Sequence, residues 1–338
     1  MKVLVIKTSS LGDVIHTLPA LTDAARAIPG ISFDWLVEEA FAEVPLWHPA
    51  VNKVIPVAVR RWRKGPLKAW RSGEWQAFKQ QISGAVYDAV IDAQGLLKSA
   101  WLSRYAKGCK YGFDKTSARE AMASRFYDHR LAVAKGLHAV ERTRRLFAQS
   151  LGYELDSEPG QYSLSISPEP SCQVVLLHGT TWSSKHWPET FWQQLAMLLN
   201  EAGYRVLLPW GNRYEQQRAE RIARATGSEV LPKSGLTELA QILANSAGCV
   251  SVDTGLGHLA AAVGVPTISI FGATDAGLTG FYGDNQMPLQ ADFPCSPCMK
   301  RDCKFKDNDS LFPPCYEGLP PALVFEQLLG LIAQGRAQ

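Results

Sequence analysis

Val3-Leu4-Val5-Ile6-Lys7-Thr8-Ser9-Ser10-Leu11-Gly12-Asp13-Val14-Ile15 joins an apolar run, a loop of small residues and the start of a helical pattern. The unbroken apolar character of Val3 to Ile6 reads as a buried parallel strand. The helical spacing that begins at Val14 runs to Ala27 and stops at Pro29-Gly30. A loop that leaves the carboxyl end of a first strand and feeds a helix lies where open α/β sheets bind their ligands. It holds one glycine, so it is not the G-x-G-x-x-G turn of dinucleotide folds. Its one acid, Asp13, reads two ways. It is placed to act as a base at the mouth of a crevice, or it is a helix N-cap accepting from the free N–H groups of the first turn.

The same alternation extends along the chain, the pattern of a parallel sheet with helices on both faces. Strand patterns fall at 2–7, 33–38, 53–58 and 87–92, and helical ones at 14–27, 75–84, 96–107 and 138–151. Glu154 to Gln173, rich in Ser, Pro, Glu and Gly, reads as a linker. A second set follows, with strands at 173–178, 204–209, 228–231, 248–252 and 266–271 and helices at 188–202, 212–226, 236–246 and 256–263. Pro320 to Ala333 closes the chain as an amphipathic helix. At 338 residues two domains are expected, 1–160 and 173–315 with a terminal segment 316–338, and a cleft between them is the favoured ligand site.

Hydrophobic content of 46% and charged content of 20% describe a folded globular protein. No 18-residue apolar run offers a transmembrane helix, and the start lacks the charged and apolar regions of a signal peptide, so a cytoplasmic location is expected. Seven cysteines, an odd number, fit a reducing compartment better than a disulfide framework. The net charge of +3 hides an asymmetry: residues 1–150 hold 23 Lys and Arg against 13 Asp and Glu, residues 151–338 hold 12 against 19. The basic half suits an anionic partner, whether nucleic acid, acidic lipid headgroups or phosphorylated sugars; the alternative is that the two halves attract each other.

Three further stretches carry chemistry. Strand 248–252 runs into Asp253-Thr254-Gly255-Leu256-Gly257-His258, where two glycines let a ligand approach and a helix N-terminus offers N–H groups to a diphosphate. Asp253 would repel that diphosphate and is expected to face a sugar hydroxyl or the backbone. His258 is either a donor to phosphate or a buried histidine. Strand 173–178 ends in His178-Gly179-Thr180-Thr181-Trp182-Ser183-Ser184-Lys185, with Lys185 a counter-charge for a departing phosphate. Glu215, beyond Trp210-Gly211, is placed to take ribose hydroxyls.

Arg60-Arg61-Trp62-Arg63-Lys64-Gly65-Pro66-Leu67-Lys68-Ala69-Trp70-Arg71 reads as a basic loop, with Lys98, Arg119, Arg142, Arg144 and Arg145 extending its charge. Trp among Arg suits a membrane interface or an anionic glycolipid; no nucleic-acid reader motif is present. Cys295, Cys298, Cys303 and Cys315 offer a possible structural zinc site, although C-x4-C and the long last gap are untypical, and free thiols are the other reading. Asp307-Asn308-Asp309 resembles a metal-sugar motif but is taken as solvated.

These residues together resemble the lipopolysaccharide heptosyltransferase I family, within the inverting heptosyltransferases of glycosyltransferase family 9. The resemblance rests on Lys7 to Leu21, Trp35-Leu36-Val37-Glu38-Glu39, Ile55 to Lys64, Asp92-Ala93-Gln94-Gly95-Leu96-Leu97-Lys98-Ser99, Lys185-His186-Trp187-Pro188-Glu189, Pro209-Trp210-Gly211 and Ser251 to Leu259. It covers nearly the whole chain; the cysteine segment departs from it. It implies a glycosyltransferase B fold, two Rossmann-like domains facing a cleft with the C-terminal helix crossing back to the first. It implies ADP-L-glycero-D-manno-heptose as donor and the Kdo sugar of Kdo–lipid A as acceptor. By the same likeness Asp13 is the catalytic base, and Thr180, Thr181, Lys185, Glu215, Asp253, Thr254, Gly255 and His258 bind the donor. Ser10, Arg60, Arg61, Arg63, Lys64 and Arg119 face the acceptor. No metal or other cofactor is required, the chain is expected to act as a monomer at the inner face of the inner membrane, and nucleic acid is not a partner. A non-catalytic binder of acidic glycolipid, a nicotinamide oxidoreductase without its glycine fingerprint, and a sibling transferase with a heptose acceptor are the alternatives.

Overall fold

The computed structural model describes residues 1–169, 171–305 and 312–335. The chain divides into two compact units, Met1–Ser165 and Ile166–Gln338. In the first, strands β1 (Lys2–Ile6), β2 (Ser32–Glu38), β3 (Val51–Val57), β4 (Val86–Asp92), β5 (Lys107–Phe113) and β6 (His129–Leu131) alternate with helices. These are α1 (Leu11–Ile15), α2 (Leu18–Ala27), α3 (Val59–Lys64), α4 (Pro66–Arg71), α5 (Glu74–Ser83), α6 (Leu97–Ser103) and α7 (Ala139–Leu151). The second unit holds β7 (Gln173–Leu177), β8 (Arg205–Leu208), β9 (Glu229–Val230), β10 (Gly248–Val252), β11 (Thr267–Phe271) and β12 (Gln286–Gln290). Its helices are α8 (Glu189–Glu201), α9 (Arg213–Thr226), α10 (Leu236–Asn245), α11 (Gly255–Ala262), α12 (Ala276–Thr279) and α13 (Pro321–Gly335).

The sheet orders are β3-β2-β1-β4-β5-β6 and β12-β11-β10-β7-β8-β9. Counted from its own first strand, each unit has the order 3-2-1-4-5-6 of the doubly wound nucleotide fold, and the recorded pairings are parallel. In that topology the strand order reverses between the first and fourth strands, and ligands bind outside the carboxyl ends of those two. The residues that follow β1 and β4, and β7 and β10, are therefore the positions to inspect. Each sheet is held by burial of its central strands: Val3, Leu4, Val5 and Ile6 are fully inaccessible, as are Val250 and Val252.

Three sequence expectations change. The helix read over 14–27 is two helices. Pro19 has no N–H to give the carbonyl of Ile15, and the Thr17 hydroxyl instead bonds the Asp13 carbonyl at 3.0 Å, so the first helix ends after one turn. The basic stretch is not a loop but the short helices α3 and α4, broken at Gly65-Pro66. β5, β6 and β12 carry too little unbroken apolar sequence to register as strands. The closing helix packs in the core of the second unit, where Val324, Leu328, Leu331 and Ile332 are buried with Trp187, Trp192 and Leu195.

Candidate active site

At the switch point of the first unit, the backbone between β1 and α1 is clamped by Gln94, two residues past β4. The Gln94 Oε1 accepts from the N–H groups of Thr8 at 2.9 Å and Ser9 at 3.1 Å, and its Nε2 donates to the Ser9 carbonyl. Asp92 holds Gln94 in turn, its Oδ1 taking the Gln94 N–H at 2.9 Å and its Oδ2 the Tyr127 hydroxyl at 2.7 Å. Gly95 adopts a positive φ of 65°, and a side chain there would press on Phe113 at 3.2 Å and on the Arg119 backbone at 3.4 Å. That close approach brings Arg119 to the loop.

Asp13 is not the N-cap. Ser10 occupies that position, and Asp13 is the third helical residue reaching back, its Oδ2 accepting from the Ser10 N–H at 2.9 Å and hydroxyl at 3.0 Å. Two cations stand off the carboxylate: Lys7 Nζ at 3.9 Å from Oδ1 and Arg119 Nη1 at 3.7 Å from Oδ2. Burial works to raise the Asp13 carboxyl, but Lys7, Arg119 and the Ser10 hydrogen bonds outweigh it and hold the group below the ordinary aspartate value. Burial pulls the Lys7 ammonium down against the attraction of Asp13, and its hydrogen bond goes to the Ala93 carbonyl at 2.9 Å. Oδ1 thus stands beyond hydrogen-bonding distance of Lys7, while Oδ2 holds the Ser10 donors.

The basic helices begin where Glu38, buried at the end of β2, accepts the Arg60 N–H at 3.0 Å. Arg60 lies over the Phe41 ring, and Arg63 and Lys64 are exposed on α3. Arg61 differs: it bonds Glu39 at 3.1 and 3.0 Å and Glu74 at 2.9 Å, and those carboxylates raise its guanidinium above its ordinary value. Arg144, read as part of the basic supply, is buried and paired with Asp23 and Glu141, so it adds nothing to that surface.

At the second switch point, Thr180 Oγ1 donates to the Asp253 carbonyl at 3.2 Å, which ties the end of β7 to the end of β10. The Asp253 carboxylate takes Lys185 Nζ and the Thr274 hydroxyl, each at 2.6 Å. It therefore faces a cation, not a sugar hydroxyl or the backbone: a carboxylate this buried needs a counter-charge more than a solvated partner. Lys185 also lies 4.3 Å over the Trp182 ring. Thr254 is the N-cap of α11, whose first residue is Gly255, and Gly257 lies so close to Phe281 and Ser251 that no side chain fits. His258 is buried with its ring edge-on to Phe281 at 4.9 Å. Glu215, on the first turn of α9 below the Asn212 cap, lies against Gly179 and accepts the Gly211 N–H at 2.7 Å. His178, fully buried at the end of β7, is pushed down to about 3 by burial and then by Arg218 and His186, so it stays neutral.

Residues 75–308 match glycosyltransferase family 9 (heptosyltransferase). The chain belongs to this family. It is 54% identical to the lipopolysaccharide heptosyltransferase 1 of Pseudomonas aeruginosa across 98% of each chain. Its fold matches that of the Escherichia coli heptosyltransferase WaaC with ADP at a TM-score of 0.83, with 52% identity over 86% of this chain and 94% of that one. The same enzyme with ADP-2-deoxy-2-fluoro heptose matches at 0.81, with 51% identity over the same shares. The two parallel-sheet units are those of a glycosyltransferase B enzyme.

For a heptosyltransferase, the first unit gathers Ser10, Asp13 and Arg119 at one loop, and the second gathers Thr180, Lys185, Asp253, Thr254 and Gly255 at another. Sequence reasoning missed Gln94, Thr274 and Arg301. Gln94 was findable, because it follows the fourth strand as Asp253 does. The cysteine segment is bonded to the loop that carries Lys185. Ser184 donates to the Lys300 carbonyl at 2.6 Å, Ser183 to Asp302 at 2.8 Å, and Arg301 stacks over Trp182. Cys295, Cys298, Cys303 and Cys315 are free thiols, and burial, then Cys303, Cys295 and Cys298, push Cys315 up to about 12. Among the described residues no group of three or more side chains is arranged to hold a metal ion, and none of the helices is long and apolar enough to cross a membrane. Asp307-Asn308-Asp309 lies outside the described residues.

Proposed function

We propose that this heptosyltransferase moves L-glycero-D-manno-heptose from ADP-heptose to the Kdo residue of Kdo–lipid A, adding the first heptose of the lipopolysaccharide inner core. The observation that carries the reading is Asp13: an ionised carboxylate with one oxygen committed to Ser10 and the other beyond hydrogen-bonding distance of Lys7, at a strand-order switch point ringed by cations. The donor and the family come from relatives that are lipopolysaccharide heptosyltransferases and from a related structure holding an ADP-heptose analogue.

An acceptor hydroxyl attacks the anomeric carbon opposite ADP. The new carbon–oxygen bond forms as the bond to the β-phosphate breaks, ADP leaves with the electron pair, and the hydroxyl proton passes to Asp13 Oδ1, inverting the configuration. A carboxylate held low is a weak base, and such help is worth about 10²–10⁴-fold. The oxocarbenium character of the anomeric carbon is eased by nearby carboxylates. The charge that grows on ADP is met by Lys185, the Thr180 and Thr181 hydroxyls and the N–H groups that start α11, with Glu215 on the ribose and His258 behind the phosphates. Arg60, Arg63, Lys64 and Arg119 hold the acidic acceptor. In this reading a single chain works at the inner face of the inner membrane and needs no metal.

The test is ADP release from ADP-heptose with and without deacylated Kdo–lipid A, for the natural protein and Asp13→Ala. The expected outcome is release that needs both substrates and falls by at least about 10²-fold in the variant, with ADP binding unchanged. Release by Asp13→Ala at the natural rate would remove the base assignment. Release with a heptose-bearing acceptor only would move the protein to a sibling activity.

A further inference from the structure

The basic helices enclose something their charges do not explain. A cavity of about 350 Å³ opens in the first unit, walled by the indoles of Trp62, Trp70, Trp75 and Trp101 with Arg63 and Lys98 in its lining. Three of the indoles form one aromatic body: Trp75 stacks on Trp101 at 5.3 Å and 14°, and Trp62 meets Trp75 edge-on at 5.5 Å. The Trp62 Nε1 is held by Glu74 at 2.9 Å, so its ring is fixed as a wall. On α4 the chain leaves Trp70 71% and Leu67 70% exposed, apolar surface that water disfavours. The volume falls within the roughly 300–1,000 Å³ of small-ligand pockets.

Lys98 joins this cavity to the catalytic loop. It lines the cavity, and its Nζ donates at 3.1 Å to the hydroxyl of Ser9, next to the Ser10 that holds Asp13. Burial draws the Lys98 ammonium below its ordinary value; Glu38 and Asp13 oppose this, while Arg60 and Arg63 add to it. Cations crowded together beside a partly dry apolar wall are relieved by an anion, and an apolar wall is filled by hydrocarbon. A molecule that offers both is an anionic amphiphile.

Resting on the acceptor reading above, we propose that this cavity is an acyl-chain subsite. It takes one hydrocarbon chain of the lipid-linked acceptor, while the anionic head lies across Lys98, Arg60 and Arg63 toward Asp13. The indole walls favour a chain inserted singly over a bilayer surface, which would rest on outward-facing side chains and leave the cavity empty.

The first test uses alkyl phosphates below their micelle-forming concentrations, read by the fluorescence of the cavity tryptophans. Dodecyl phosphate is expected to bind, each methylene removed to weaken it up to about fourfold, and dodecyltrimethylammonium, the same chain with the opposite charge, not to bind. Affinity independent of chain length, or equal affinity for the cation, overturns the proposal. The second test measures transfer with Ala69→Trp, which fills the cavity, and Trp70→Ser, which strips one exposed wall and should fold normally. Both are expected to lower kcat/KM at least tenfold for an acylated acceptor and to leave it unchanged for the fully deacylated one. Equal rates with both acceptors, or an effect confined to binding of anionic vesicles, overturns the subsite. Absence of transfer to either acceptor by the natural protein overturns the acceptor reading instead, and the alkyl phosphate series then decides the cavity alone.

Discussion

Asp13 and Asp253 stand at corresponding switch points of two sheets with the same strand order, each with a lysine beside it, and they are solved differently. Asp253 is 10% exposed, with Lys185 and Thr274 both at 2.6 Å. Asp13 is 26% exposed, with its two cations at 3.9 and 3.7 Å. The tight pair uses up the carboxylate; the loose one keeps it charged and leaves an oxygen unbonded by its lysine. Lys7 stays loose because its ammonium donates a hydrogen bond to the Ala93 carbonyl at 2.9 Å. In this molecule a carboxylate is kept out of a tight ion pair by giving its counter-ion another partner.

The largest effect that would break the contrast lies in stability. Asp253→Ala leaves the mostly buried Lys185 and the buried Thr274 without their partner, a loss on the order of 3 kcal/mol. Asp13→Asn keeps an acceptor for the Ser10 donors and should lose about 1 kcal/mol or less, although it removes the proposed base. Thermal or denaturant unfolding of the two variants checks this. Equal destabilisation would mean that the pairs are not of two kinds.

How much of this was legible follows from range. β1, β4, β7 and β10 were readable because strands buried on both faces are continuous apolar runs, and the loops after them follow from strand order. What Asp13 does within its helix was not readable, because Ser10 and Asp13 both suit a cap and only geometry assigns the positions. Gln94 escaped because its partners lie about 85 residues away. The use made of the cysteine segment escaped for the same reason: its backbone holds Ser183 and Ser184, more than 110 residues earlier in the chain.

A smaller effect sharpens the contrast through pH. The Asp13 carboxyl sits low because Lys7 and Arg119 together overcome its burial. Removing Arg119 withdraws part of that support, so the carboxyl takes up a proton at higher pH. The acid limb of kcat/KM in Arg119→Gln is expected at higher pH than in the natural protein, a shift that a merely structural arginine would not cause. The same sign governs stability. A carboxyl held low in the folded state stabilises it above the unfolded pKa, and this is lost as pH falls through the folded value; the variant should lose it sooner. An unmoved acid limb would show that Arg119 does not act through Asp13.

The smallest expected effect carries the tight-against-loose distinction to the basic helices. Arg60, Arg61, Arg63 and Lys64 are all basic residues of one short stretch, yet among the described residues Arg61 alone of the four is held by two carboxylates, Glu39 and Glu74, where Lys185 has only Asp253. Glu74 is held down to about 2, first by Arg61 and then by Trp62, so the pairing persists at every pH where the enzyme would be assayed and releases only as pH falls through that value. Two carboxylates on one guanidinium offset the field that Arg61 would present to an anionic acceptor. Arg61→Gln should leave the acceptor KM within about twofold, because an exposed pair contributes little and Glu74 keeps its bonds to Trp62 and Ser72. Arg63→Gln should raise that KM by clearly more and flatten its salt dependence, since an exposed guanidinium that meets an anion acts through a screened field. If Arg61→Gln raises the KM as far as Arg63→Gln does, its carboxylates release it when the acceptor arrives, and short distances in the unliganded protein do not mark which cations are spent.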